Sequence, residues 1–262
     1  GKGKLVVRLK NATFGETEKN KKIEVAPVAA TVNAASKAPA NVTIPVIDVA
    51  VDNFIYKGQS LGRIEFHASQ FEKDILLDHF RLTNPDGVLA VNGKWGMSPA
   101  QTHVVVKFTL NDIGKVLDRS GYPNSVKKGS GSLDCDLVWP GAPDELALAN
   151  LGGNLNLKMA KGQFLKLDPG AGKLLSVMSL QSLPKRITLD FTDVFSKGFE
   201  FDDIAGVAQI RQGVLLTNDF KIYGSAAKVT LSGLVHLSRE SQNLRVKVLP
   251  TIGDSVSLFA FS

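Results

Sequence analysis

Apolar and polar residues alternate with a period of two through most of the chain, the signature of strands with one dry and one wet face. The stretch 45–56 alternates around Ile47, Val49 and Val51, and 61–68 around Ile64, Phe66 and Ala68. Leu76, Phe80 and Leu82 continue the pattern in 75–82, and Leu89, Val91 and Trp95 in 88–95. The cleanest run is 103–110, with Val104, Val106, Phe108 and Leu110 against Lys107 and Thr109. Further along, Leu133, Cys135, Leu137 and Trp139 alternate with Ser132, Asp134 and Asp136, and Leu155, Leu157 and Met159 with Asn154, Asn156 and Lys158. Segments at 187–191, 229–237 and 244–248 behave alike. Turn residues separate them, as in Asn84-Pro85-Asp86-Gly87 and Gly152-Gly153. The pattern predicts a mainly β fold: an antiparallel sheet of about ten strands, each roughly 26 Å long, strongly curved into a groove or incomplete barrel.

Two places break the period. Ile113, Val116 and Leu117, with Asn111 or Asp112 as cap, predict a short helix over 111–119. Asp168 as N-cap, Pro169 at the first turn and Pro184 beyond the end predict another over 170–182. On it Ala171, Leu174, Leu175, Val177 and Met178 share an arc of roughly 160°, although Leu180 falls among the polar residues Gly172, Lys173, Ser176 and Ser179. Residues 26–42 differ from everything else, with seven alanines in 17 positions and Pro27 and Pro39. They read as a linker, dividing a basic N-terminal strand segment with its linker (1–42) from the main β domain (43–262).

The net charge of +6 is lopsided: residues 1–22 hold seven basic and two acidic residues, so the remainder is almost neutral. A neutral body is a poor phosphate-tracking surface, and no nucleic acid is expected as partner. One cysteine, Cys135, excludes an internal disulfide. No stretch approaches eighteen apolar residues, and no signal peptide opens the chain. It reads as a mature form or a piece of something longer.

Catalytic chemistry finds little support. His67, His79, His103 and His236 fall at polar or mixed strand positions without metal-ligand spacing. Gly170-Ala171-Gly172-Lys173 approaches a phosphate loop, but Leu167 and Leu174 stand where Gly and Ser/Thr belong. Asp190, Asp193, Glu200, Asp202 and Asp203 interleave with Phe191, Phe195, Phe199 and Phe201, which reads as a strand end and loop with Phe packed inward and acids solvated. No enzyme activity, cofactor or metal is expected.

The same region carries a resemblance. Residues 162–206, through Gly162-Gln163-Phe164, Leu167-Asp168-Pro169-Gly170-Ala171-Gly172-Lys173, Ile187-Thr188-Leu189-Asp190-Phe191 and Gly198-Phe199-Glu200-Phe201-Asp202, resemble the C-terminal region of the YhdP-type AsmA-like proteins. The likeness extends through Asn92-Gly93-Lys94-Trp95, Asp112-Ile113-Gly114 and Leu137-Val138-Trp139-Pro140-Gly141, covering about residues 45–250. It implies a non-catalytic C-terminal segment of a Gram-negative lipid conduit, periplasmic and anchored in the inner membrane by a helix absent from this chain. Phospholipid would be its ligand, with the inner leaflet of the outer membrane or an envelope protein as partner. Leu174, Leu175, Val177, Met178, Phe195 and Phe199 then become candidate lipid-contacting or lid residues, and Lys173, Lys185 and Arg186 candidate head-group contacts. Physically, a half-dry sheet must cover its dry face with another layer or a ligand. Two readings therefore stand: an open apolar trough for acyl chains, or a closed core in a structural module that docks partners by its sheet edge.

Overall fold

The computed structural model describes residues 3–15, 44–165 and 198–251. Among these residues twelve strands form one sheet whose spatial order follows the chain: β1 (Lys4–Phe14), β2 (Val46–Tyr56), β3 (Gln59–Phe71), β4 (Asp74–Asn84), β5 (Gly87–Met97), β6 (Ala100–Leu110), β7 (Val126–Pro140), β8 (Gly152–Phe164), β9 (Phe199–Arg211), β10 (Val214–Tyr223), β11 (Ala227–His236) and β12 (Ser241–Pro250). Among the described residues β1 and β12 are the two edges, so these strands do not close into a barrel. Every pairing is antiparallel except the first: β1 runs parallel to β2 in an unslipped register from Lys4↔Val46 to Phe14↔Tyr56. The expected mainly antiparallel, curved and unclosed sheet is present, with the β1–β2 pair as its parallel exception. Segment 1–42 contributes its strand to the same sheet as the rest of the chain.

Short connections explain the strict order. Lys57-Gly58 and Gln212-Gly213 take positive φ at both positions (48° and 78°; 48° and 71°), the conformation of two-residue hairpins whose twist matches the strands they join. Curvature has local causes. Ladders slip at His67/Ala68, Leu77/Phe80 and Thr217/Phe220, and bulges bend the strand that carries them. Gly153 and Gly233 adopt φ of +140° and +136° inside strands, where a β-carbon would strike the Asp136 and Asn243 carbonyls respectively.

The helix expected at 111–119 is present as α1 (Ile113–Arg119), with Asp112 as its N-cap accepting from Lys115 N at 3.1 Å. It crosses the strand ends at one rim, touching β7 and β3. Ile113 is buried there, with Val116 and Leu117 packed behind it. Asp86, in the β4–β5 turn, anchors the helix: it receives Arg119 Nη2 at 2.7 Å and Nε at 2.8 Å. Its carbonyl accepts from the Asn111 and Asp112 amides. Between β7 and β8 two short 3-10 turns, Pro143–Glu145 and Leu148–Asn150, close the opposite rim. Trp139 Nε1 donates to Ala142 O there at 3.0 Å. The strand segment at 187–191 and the helix at 170–182 lie outside the described residues.

Candidate functional site: an apolar face across the sheet

The register converts separate alternating strands into continuous files of side chains running perpendicular to them. One file passes Val7, Val49, Phe66, Phe80, Val91, Val106, Cys135, Leu155 and Ala208, one residue from each of β1 to β9. The next passes Leu9, Val51, Ile64, Leu82, Leu89, Phe108, Leu133, Leu157 and Gly206. A third runs from Leu5 and Ile47 through Val104 and Leu137 to Ile210, Leu215 and Val235. Near the far edge Met159, Ile204, Ile222, Val229 and Val248 form a fourth. No charged residue interrupts any of them. With strands 4.7–4.9 Å apart, the apolar face extends roughly 50 Å along the sheet.

Two clusters flank this face at opposite strand ends. At one rim Phe199, Phe201, Ile204, Ile222 and Val229 cluster with Ile113 of α1; at the other Trp139, Leu151 and Ile210 pack with Leu137 and Leu215. Between them Leu89, Val91, Val106, Phe108, Leu133, Leu155 and Leu157 are only half-buried, although they sit at strand centres. A second layer pressed on this face would remove such residues from water completely. The sheet therefore keeps dry rims and an open apolar floor.

The other face is polar. Behind the first two files lie Asp136, Asn154 and Gln209, and Lys107, Asp134 and Asn156. The histidines sit on strands, His79 and His103 exposed and His67 and His236 half-buried: His103 Nε2 meets Asp136 at 2.8 Å, and His67 Nδ1 meets Asp78 at 2.9 Å. A concavity of about 560 Å³ also opens on this side, edged by Lys107, Asp134, Asp136, Asn154, Asn156 and Asp219. Its lining also includes Val105, Val207 and Leu216, but charged side chains interrupt it; none interrupts the apolar floor, which is therefore the better candidate. Cys135 lies in that floor, where burial, and then the neighbouring Asp134 carboxylate, push its thiol up. Among the described residues no group of three or more His, Cys, Asp or Glu is placed to hold a metal ion. Nor is any helix among them long and apolar enough to cross a membrane.

Of the expected site residues, only Phe199 is described. It is 3% exposed, and its ring lies against the backbone of Gly224. Phe201 is equally buried, while Glu200, Asp202 and Asp203 are exposed, the Phe-in, acid-out arrangement expected of this stretch. However, residues 199–203 continue into a full strand rather than a loop. Leu174, Leu175, Val177, Met178, Phe195, Lys173, Lys185 and Arg186 lie outside the described residues. The alternation predicts an apolar trough without naming the residues that compose it, because they become a continuous track only once the register is known.

Comparison with known proteins converges on one family. The profile of the YhdP protein family matches residues 1–262. A curated relative, the intermembrane phospholipid transporter YhdP of Escherichia coli (strain K12), is 30% identical over 215 residues, covering 78% of this chain. The chain spans 16% of that relative's length. No solved structure matches the chain.

Proposed function

Because the chain belongs to the YhdP protein family, we propose that it is the C-terminal segment of a conduit moving phospholipid between the two membranes of a Gram-negative envelope. It works in the periplasm without catalysis. Acyl chains lie along the apolar files and head groups remain in water at the rims. The observation that carries this reading is the floor of uninterrupted apolar residues spanning the sheet, most of them only half-buried. The relative is named as a phospholipid transporter, which fits the same ligand.

The physics of transport favours such a surface. Each buried methylene stabilises a bound lipid by about 0.8 kcal/mol, so an acyl chain of about sixteen carbons loses roughly 13 kcal/mol if left in water. The floor removes most of that cost. Its contacts are non-directional, so a chain advanced by one strand meets the same kind of surface and faces no deep trap. A closed core in an interaction module would instead bury Leu89, Val106, Leu133 and Leu157 fully, and they are half-open.

Trp95 and Trp139 flank Thr102 in one file of this face and provide the test. Phospholipid brominated along its acyl chains should quench their fluorescence, and gentle extraction of the purified protein should recover phospholipid. Leu133→Asp with Leu157→Asp, placed in the open floor, should lose both signals while retaining the β-sheet circular dichroism spectrum. Folded wild-type protein that neither retains lipid nor shows quenching would overturn the conduit reading.

A further inference from the structure

The polar face is not uniform. Among the described residues β11 and β12 contain no Asp or Glu, yet they carry Lys228, Arg245 and Lys247. The register gathers these on the side opposite the apolar files. Tyr223, Lys228 and Leu249 form one row across β10–β12, and Lys221, Thr230 and Lys247 the next. Arg245 stands opposite Ser232 in the third. Lys228 Nζ lies 4.7 Å from the Tyr223 ring centroid, and Tyr223 and Leu249 are 37% and 48% exposed. Nearby acids are few: Asp219 is ion-paired to Lys221, Asp203 stands opposite Tyr223 on β9, and Glu240 shares the β11–β12 turn with Arg239.

We propose that this patch, built by Tyr223, Lys228, Arg245, Lys247 and Leu249 on the last three described strands of the sheet, docks on a membrane surface containing anionic phospholipid. The inference rests on the conduit reading, to which it adds where and how the sheet meets a bilayer. Its composition is what such an interface selects: cations on long apolar stems, an aromatic ring with a polar tip, and an exposed aliphatic chain. A soluble acidic partner would satisfy the cations but leaves Leu249 without an apolar host. The edge strand itself matches a leaflet in cross-section. On β12, Arg245 and Lys247 point to the polar side while Leu244, Val246 and Val248 lie on the apolar face directly behind. A lipid crossing this edge would keep its phosphate on the cationic side and its chains on the apolar side.

Vesicle flotation tests the proposal, using phosphatidylcholine vesicles with and without phosphatidylglycerol. The protein should float with the anionic vesicles, weakly or not at all with the neutral ones, and less at high salt. Each basic residue at such a surface contributes about fivefold, so K228E/R245E/K247E should weaken binding by about a hundredfold. All three side chains are on the strand surface, and the milder R245Q/K247Q keeps the test usable if the triple variant folds poorly. K107E/K158E changes charge on the same face over β6 and β8 and should leave binding in place. Equal binding to both vesicle types, unchanged binding of the triple variant, or an equal loss in the K107E/K158E control would overturn the proposal. Lipid retention on the apolar floor, measured on the same proteins, separates the two readings. Protein that carries lipid but ignores vesicles refutes only the docking patch, and protein that docks but carries no lipid refutes the conduit.

Discussion

Asp86 shows how one side chain can hold a rim in place. Its carboxylate is 6% exposed and takes two contacts from Arg119, with Lys115 Nζ further off at 3.8 Å. Arg119 also donates to Ser60 O at 2.9 Å, tying the helix to the start of β3. Removing the guanidinium leaves a carboxylate in a site that water hardly reaches. Such orphaned charges cost about 3–5 kcal/mol when fully buried. Because Arg119 is itself about one-third exposed, Arg119→Met should cost less, about 2–3 kcal/mol. Urea denaturation would measure it, and adding Asp86→Asn to the same protein should restore part of the loss. If the single variant is as stable as wild type, the pair does not anchor α1.

Strand β1 depends on electrostatics more than its neighbours do, since Leu5, Val6 and Leu9 are each about half-exposed. Asp48 on β2 receives Arg8 at 2.9 Å and Lys4 at 3.3 Å. Partial burial pushes its carboxyl up, but the hydrogen bonds and charges of Arg8 and Lys4 prevail and hold it below the ordinary Asp range. A carboxyl lowered by folding stabilises the fold fully above its unfolded value, and loses that contribution as the pH falls through the lowered one. Acidification should therefore reduce amide-exchange protection in 4–14 before it affects β6, and Asp48→Asn should do so at neutral pH. Parallel loss in both strands would refute this. What was legible beforehand also divides by element. β6 announced itself because Val104, Val106, Phe108 and Leu110 hold one phase to the end. β9 and β10 did not, because the phase jumps inside them. In β9 the buried positions are Phe199 and Phe201, then Ile204 and Ile210, with two acids at the switch. In β10 the slip between Thr217 and Phe220 turns an odd-numbered apolar set into an even-numbered one. Alternation cannot reveal a strand whose own bend inverts it. The parallel direction of β1 was hidden for another reason: it depends on where a long connection returns, and no local residue encodes that.

Across the whole molecule, each strand touches little besides the strand before it and the strand after it, α1 excepted. Stability in such an array is approximately a sum of neighbour terms, as in repeat proteins. Native-state hydrogen exchange should show protection highest in β6–β9 and falling towards β1 and β12, whereas a single cooperative core would give one uniform opening energy. The apolar floor belongs to this scale as well. No individual strand contains it, and only register, spread over eleven pairings, assembles it from side chains that each alternate for ordinary reasons. The sequential strand order has a further consequence for how the chain is made. A nascent polypeptide leaves the ribosome from its N-terminus, and here every newly emerged strand finds its only required partner already synthesised. Apart from the β1–β2 and β8–β9 connections, no pairing has to wait for a distant segment. Most all-β domains fold slowly because their contacts are far apart in sequence; this sheet can grow at one edge, in step with translation, exposing no more than one unfinished strand at a time.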